Sequence, residues 1–188
     1  GALEKYKGNY EAALKHHLHA LKIKEKNKDE HSLSVTYNDI GIVYKNMKRF
    51  EEALTYYRKS NELARKIDKG EAISMTYNNL GTVYNELGKF DSAMLSYNNA
   101  LFTAEKINNT NAIATALANL ADIHFAHERY DSALHNFKRC LSYDKANEDK
   151  YGMALSHMQL GRTYSVLNMH EAALAHIDTA DKISAEEN

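Results

Sequence analysis

Apolar positions along this chain advance in steps of four and three. Leu33, Tyr37, Ile40, Tyr44 and Met47 form one such series, and Ile73, Tyr77, Leu80, Tyr84 and Leu87 repeat it forty residues later. That spacing keeps one face of a 3.6-residue helix apolar. A second series stacks Tyr10, Phe50, Phe90, Tyr130 and His170 in one column of the same period. Three residues on comes Ala13, Ala53, Ala93, Ala133 and Ala173, and beside it Leu14, Leu54, Met94, Leu134 and Leu174. Each 40-residue period therefore holds two amphipathic helices, and no stretch alternates as a half-buried strand would. The pattern predicts helices near 9–27, 31–47, 50–67, 71–87, 90–107, 111–127, 130–146, 151–167 and 170–185.

The intervals between helices are short, so neighbours must run antiparallel. In "LGKF" Gly88 stands where a helix C-cap wants a left-handed residue, and "DKGEA" and "NNTNA" supply polar breaks. The chain has no proline, so no ring kinks a helix. Gly41, Gly81 and Gly161 lie inside predicted helices, with Ala121 in the same slot. Glycine there costs about 0.5–1 kcal/mol relative to alanine, so a close helix contact is expected in return. The reading places that contact against the Ala53-type column, with Tyr44, Tyr84 and Tyr164 filling the adjoining space. One hairpin cannot bury its apolar face alone, so the expected fold is an all-α solenoid of stacked antiparallel helix hairpins.

Composition narrows the function. The chain has 188 residues, 44% hydrophobic and 26% charged, enough for a packed core. Its 24 Lys and Arg nearly balance 25 Asp and Glu, so no strong field collects phosphate backbones or anionic lipid, and nucleic acid is not an expected partner of this region. A single cysteine, Cys140, cannot form an internal disulfide. No apolar run reaches the roughly 18 residues of a membrane span.

Small residues preceded by Leu or Ile and followed three later by Tyr, then an aromatic-x-x-Ala pair nine further on, resemble the tetratricopeptide repeat. "TYNDIGIVYKNMKRF" at 36–50 and "TYNNLGTVYNELGKF" at 76–90 carry the likeness, and "ALANLADIHFAHERY" at 116–130 keeps the skeleton. The resemblance covers essentially the whole chain and implies a right-handed superhelix. Three features depart from the usual repeat: a period of 40 rather than 34 residues, Tyr77 and its equivalents in place of the usual Trp, and no terminal Pro. The extra residues fall around "DKGEAI". Long repeats of this kind are similar to those of Rap-type bacterial regulators, kinesin light chain, and the sensor regions of bacterial histidine kinases and transcription regulators. The Asn-, Tyr- and Lys-rich wording is most similar to the last group.

What that resemblance implies about a site is a concave groove lined by the first helix of each repeat. There an amide before the Leu-Gly pair hydrogen-bonds the backbone of an extended peptide. Asp39, Asn79, Asn119 and Gln159 occupy that position, and an amide offers both donor and acceptor. By the same analogy Thr82, Asp122 and Arg162 with Lys45 and Asn85 read side chains. Residues that merely solvate an exposed helical face are the alternative. Asn38, Asn78, Ala118 and Met158 stand where chaperone-binding relatives carry a basic carboxylate clamp, so no such clamp is expected. Mixed charge on the wall, from Asp39, Glu86, Asp122, Lys45 and Arg162, points to a mixed or neutral partner and a moderate salt dependence.

His124 and His127 lie three apart, a spacing that can bring two imidazoles to a zinc ion. Yet they stand in the columns of Tyr44 and Met47, and His157 in that of Tyr37, so all three are read as partly buried packing residues. Cys140 shares a small-residue column with Ala20, Ser60, Ala100 and Ala180 and is expected as a buried, inert thiol. No nucleophile, base and oxyanion site converge, so no enzyme, metal or cofactor is expected.

The domain reading is a single array over 1–188, with a partial repeat at 1–28 and repeats near 31–68, 71–108, 111–148 and 151–187. Residues 1–7 read as the end of another first-type helix, with Gly1 in the Gly41 column. Leu174, Ile177 and Ala180 keep an internal apolar pattern at the other end. These features suggest a piece of a longer protein whose ends are covered in the parent or pair in a homodimer. The expected function is a peptide- or protein-binding scaffold, the sensing or docking region of a bacterial signalling protein. The alternative is an assembly module acting through its ends or convex face. Compartment stays open: periplasmic for the sensor of a membrane kinase, cytoplasmic otherwise.

Overall fold

The computed structural model describes the backbone of residues 2–186 and the side chains of residues 9–186, so Gly1 and its place in the glycine column lie outside the described residues. Within them the chain is entirely helical. The elements are α1 (Ala2–Asn27), α2 (Glu30–Asn46), α3 (Phe50–Lys66), α4 (Gly70–Glu86), α5 (Phe90–Lys106), α6 (Thr110–Ala126), α7 (Tyr130–Ala146), α8 (Lys150–Val166) and α9 (His170–Glu186). The apolar periodicity located eight of them to within a residue or two. The exception is the start. The sequence reading ends one helix near residue 7 and begins another near 9, whereas α1 runs unbroken through both.

Turn chemistry explains the regularity. Lys28, Lys48, Asp68, Gly88, Asn108, Glu128, Glu148 and Asn168, one every twenty residues, all adopt positive φ between 51° and 67°. After α2, for example, the Lys48 amide donates to the Lys45 carbonyl and the Arg49 amide to that of Tyr44. This pair of bonds is the Schellman closure, which satisfies carbonyls left over at a helix end. Gly88, Asn108, Asn168 and Asp68 are residues that tolerate this conformation, whereas Lys28, Lys48, Glu128 and Glu148 adopt it against their ordinary preference.

The chain forms two compact units, residues 1–103 and 104–188, with the boundary inside α5. The uniform repeat pattern gives no sign of this division. In the first unit α1 packs on α2, α2 on α3 and α3 on α4, around Leu21, Ile40, Tyr44, Ala53, Leu54, Tyr57, Leu80 and Val83. In the second, α6, α7, α8 and α9 pack each on the next, around Ala121, Phe137, Leu141, Leu160, Tyr164 and Ala173.

The glycine slot is tight, as its cost requires. A Cβ on Gly41 would lie 2.6 Å from the Tyr57 ring, and one on Gly81 would lie 2.6 Å from the ring of Tyr97. The slot therefore seats an aromatic ring four residues beyond the Ala53-type column. The Ala53-type column is buried too. At Gly161 it contributes directly, through the Ala173 carbonyl 3.1 Å away, beside Ile177 at 2.8 Å.

Candidate functional site

In the second unit, the four-four-three step that carries Asn111, Thr115, Asn119 and Asp122 along α6 carries Tyr151, Leu155 and Gln159 along α8. These two helix faces and the α7 residues Phe137, Cys140 and Asp144 line a cleft of about 620 Å³. Asn147, in the turn after α7, closes one edge by accepting a 2.6 Å hydrogen bond from the Thr110 hydroxyl. Asp149 fixes the start of α8: as N-cap, its side chain accepts from the Gly152 amide at 2.9 Å. Tyr151 and Leu155 then stand open to solvent, 74% and 39% exposed.

The floor of the cleft is polar and buried. Asp144, 4% exposed, accepts from the Ser156 hydroxyl at 2.7 Å and from the Cys140 thiol at 3.5 Å. The thiol also lies 3.3 Å from the Ala114 carbonyl. Burial pushes the Cys140 pKa up to about 12, against a smaller opposing effect of the Ser156 hydrogen bond, so the thiol stays protonated and unreactive at neutral pH. A Cβ on Gly152 would meet the Asp144 carboxyl carbon at 2.9 Å. It would also meet the Asp149 Oδ2 at 2.7 Å, so the absence of a Cβ lets the first turn of α8 pack close to both carboxylates. On the wall, the crowd of helix atoms around Asp122 raises its pKa although much of the side chain still faces the cleft, and Arg162 partly offsets the rise. The Arg162 guanidinium lies 4.1 Å from the centre of the Phe125 ring.

Of the residues the sequence nominated, Asn119, Asp122 and Gln159 come together on this cleft, and Arg162 stands beside Asp122. Those in the first unit are differently disposed. Asn79 donates 2.8 Å to Asn38, and Thr82 donates to the Asn78 carbonyl while receiving the Tyr97 hydroxyl at 3.3 Å. Asn38 and Asn78 are themselves buried rather than displayed on a wall. Asp39 and Lys45 are half-buried and Asn85 exposed. A cleft in the first unit is lined by other residues, Arg58, Asn61 and Tyr77 among them. Sequence reasoning missed Asn111, Thr115, Tyr151, Leu155, Asn147 and the Asp144–Ser156 pair. The signal for the first four was present: each lies one or two four-residue steps before Asn119 or Gln159 on the same helix face.

The histidines divide. His157 is buried, as expected; His124 is half-buried, with an Nδ1 that has no partner among the described residues. His127, the C-cap of α6, is exposed, contrary to expectation, although Met47 and Leu87 at the same position are half-buried. His157 and His176 face each other Nδ1 to Nδ1 at 2.9 Å, and His176 stacks on Tyr164 at 5.4 Å. In the first unit the same three positions are Tyr37, Tyr56 and Tyr44, with the Tyr44–Tyr56 rings also 5.4 Å apart.

The sequence profile of the tetratricopeptide repeat matches residues 1–66, 32–106 and 72–146. The chain belongs to the tetratricopeptide repeat family. Solved structures agree on an all-α repeat fold of the solenoid class. BtubC (BKLC) of P. vanneervenii superposes with a TM-score of 0.88 at 22% identity, over 100% of this chain and 78% of that one. A Rap protein complexed with competence and sporulation factor gives 0.81 at 18% identity, over 99% of this chain and 52% of that one. The signal transduction ATPase with a tetratricopeptide repeat sensor from Pyrococcus horikoshii gives 0.80 at 23% identity, over 97% of this chain and 28% of that one. No curated protein sequence matches. Tetratricopeptide repeats are protein-interaction scaffolds, which is the class of function shown here. No helix among the described residues is long and apolar enough to cross a membrane.

Proposed function

We propose that this tetratricopeptide repeat chain is a non-catalytic docking or sensing region of a bacterial signalling protein, holding an extended segment of a partner in the cleft of α6, α7 and α8. The observation that carries the reading is the convergence of Asn111, Asn119, Asn147 and Gln159 around an open cleft with Tyr151 and Leu155 at its mouth. Amides match the donor and acceptor of a peptide unit without demanding a particular side chain. Exposed apolar side chains beside them supply area that water leaves readily. The solved Rap protein complexed with competence and sporulation factor and the ATPase with its repeat sensor support a signalling context.

The test is capture of partners from source-organism lysate and envelope fractions by wild type and by an Asn119→Ala/Gln159→Ala variant that melts at the same temperature. A partner held by wild type and lost by the variant is the expected result. Equal recovery by both would move the binding surface elsewhere. A second reading, assembly through α9, draws on Leu174 and Ile177, 61% and 39% exposed. Under that reading Leu174→Glu would dissolve a dimer seen by sedimentation equilibrium, and the cleft variant would not.

A further inference from the structure

We propose that the cleft of α6, α7 and α8 selects an extended peptide segment in which basic side chains alternate with apolar ones. The inference rests on the cleft being the docking site and adds the chemistry of its occupant. The charged residues lining the cleft are Asp122, Asp144 and Asp149, all acidic. The mixed charge expected from the sequence does not describe this surface: Lys45, Asp39 and Glu86 belong to the other unit, and Arg162 lies against Phe125 outside the lining.

The buried member of the set carries the most weight. The fold does not need a carboxylate in the position of Asp144. The same register position holds Ala64 and Ala104, both fully buried. In the first repeat it holds Lys24, whose ammonium donates 2.6 Å to Thr36 and 3.3 Å to the Ser32 carbonyl. Thr36 and Ser32 occupy the positions of Ser156 and Gly152, so one pocket is built with opposite charge in two repeats. A carboxylate withdrawn from water is costly unless matched by a cation. The hydrogen-bond partners of Asp144 among the described residues are a hydroxyl and a thiol. Its negative potential, joined by those of Asp149 and Asp122, therefore projects into the open space in front of it. A guanidinium or ammonium entering there gains from the three carboxylates, with Arg162 beside Asp122 offsetting part of that gain.

The rest of the surface sets the alternation. Tyr151, Leu155 and Phe137 offer apolar contact between the acidic positions, and Gln159 offers bonds to the backbone. Successive side chains of an extended segment point to opposite sides. A basic residue directed at the floor thus leaves its neighbours against Tyr151 and Leu155.

Three labelled nonapeptides of Gly-Ser background, blocked at both ends, would be titrated by fluorescence anisotropy. One carries two Arg alternating with Leu, the second Gln in place of Arg, and the third Glu. The expected result at about 0.05 M salt is roughly tenfold tighter binding of the Arg peptide than of the Gln peptide, with the gap narrowing at about 0.5 M. Asp144→Ala, which copies the native state of two other repeats, and Asp122→Asn should each reduce that preference by about threefold while leaving the melting temperature equal or higher. Gln or Glu peptides that bind as tightly as Arg, with binding still lost in Tyr151→Ala, would overturn the charge preference and leave the docking site standing. No measurable binding of any of the three, or binding unaffected by Tyr151→Ala and Asn119→Ala, would overturn both.

Discussion

At the residue scale, small polar groups locked between helices decide local stability. The Tyr57 hydroxyl is buried with no partner among the described residues, and burial raises its pKa. Its equivalent, Tyr97, reaches the hydroxyl of Thr82, but the Thr82 position is Ile42 in the earlier repeat. An orphaned buried hydroxyl costs about 1–3 kcal/mol, so Tyr57→Phe should stabilise by about 1 kcal/mol. Ile42→Thr should reverse the sign of that substitution in a denaturant double-mutant cycle. Loss of more than about 1 kcal/mol on Tyr57→Phe alone would mean the hydroxyl does have a partner. Cys140 offers a second case. Its raised pKa and burial predict no labelling by a thiol reagent at neutral pH until the chain unfolds, and rapid modification of native protein would contradict that geometry. Ser60 makes the equivalent contact to the Ser34 carbonyl at 2.8 Å, so Cys140→Ser should change stability by less than about 1 kcal/mol.

At the element scale, the helices are alike in length, but their caps are not. Asp29, Asn109 and Asp149 each accept from the amide three residues on, whereas Lys69 in the same register makes no side-chain cap bond. Lys69→Asp should therefore stabilise by about 1 kcal/mol, measured by urea denaturation against a Lys69→Ala control. No gain over that control would show that the α4 terminus is already satisfied. At the other end, Gly88→Ala introduces no clash, since nothing lies within 4 Å of the new Cβ. Its expected cost of about 1 kcal/mol is purely that of holding a left-handed backbone.

At the scale of the whole molecule, stability should depend on acidity through the second unit. Burial is the largest cause lowering the pKa of both His157 and His176; each also opposes a nearby Lys145, and His176 additionally Lys138. A histidine whose folded pKa lies below its unfolded value of 6.5 binds its proton more readily after unfolding. The stability it protects is complete above that value and is lost as pH falls through the folded pKa. Protonating both rings also removes the acceptor of the Nδ1 to Nδ1 bond. Melting temperature should fall below about pH 6.5, and His157→Tyr/His176→Tyr, which copies the Tyr37–Tyr56 pair, should flatten the profile. An unchanged slope in that variant would place the titration elsewhere, with His124 the next candidate because burial lowers it too.

How much of this was legible follows from the range of each interaction. Helix type and, after α1, helix bounds are written in a 3.6-residue periodicity that any one repeat displays, and the family likeness follows from the small and aromatic residues that lock each hairpin. Part of the site was legible as well: Asn119, Asp122 and Gln159 mark the wall because register fixes which face they share. The partners of those faces were not. The Tyr57 ring crowds the Gly41 slot, Asn79 is engaged by Asn38, and the carboxylate of Asp144 lies under the first turn of α8. Each depends on which side chains from separate helices meet, and on the depth at which they meet. Sequence by itself determined the elements and the repeat, because those are set by neighbours one turn away. Only the tertiary structure decided the acidic cleft and the division into two units, because packing across helices sets burial, and burial sets the cost and reach of a charge.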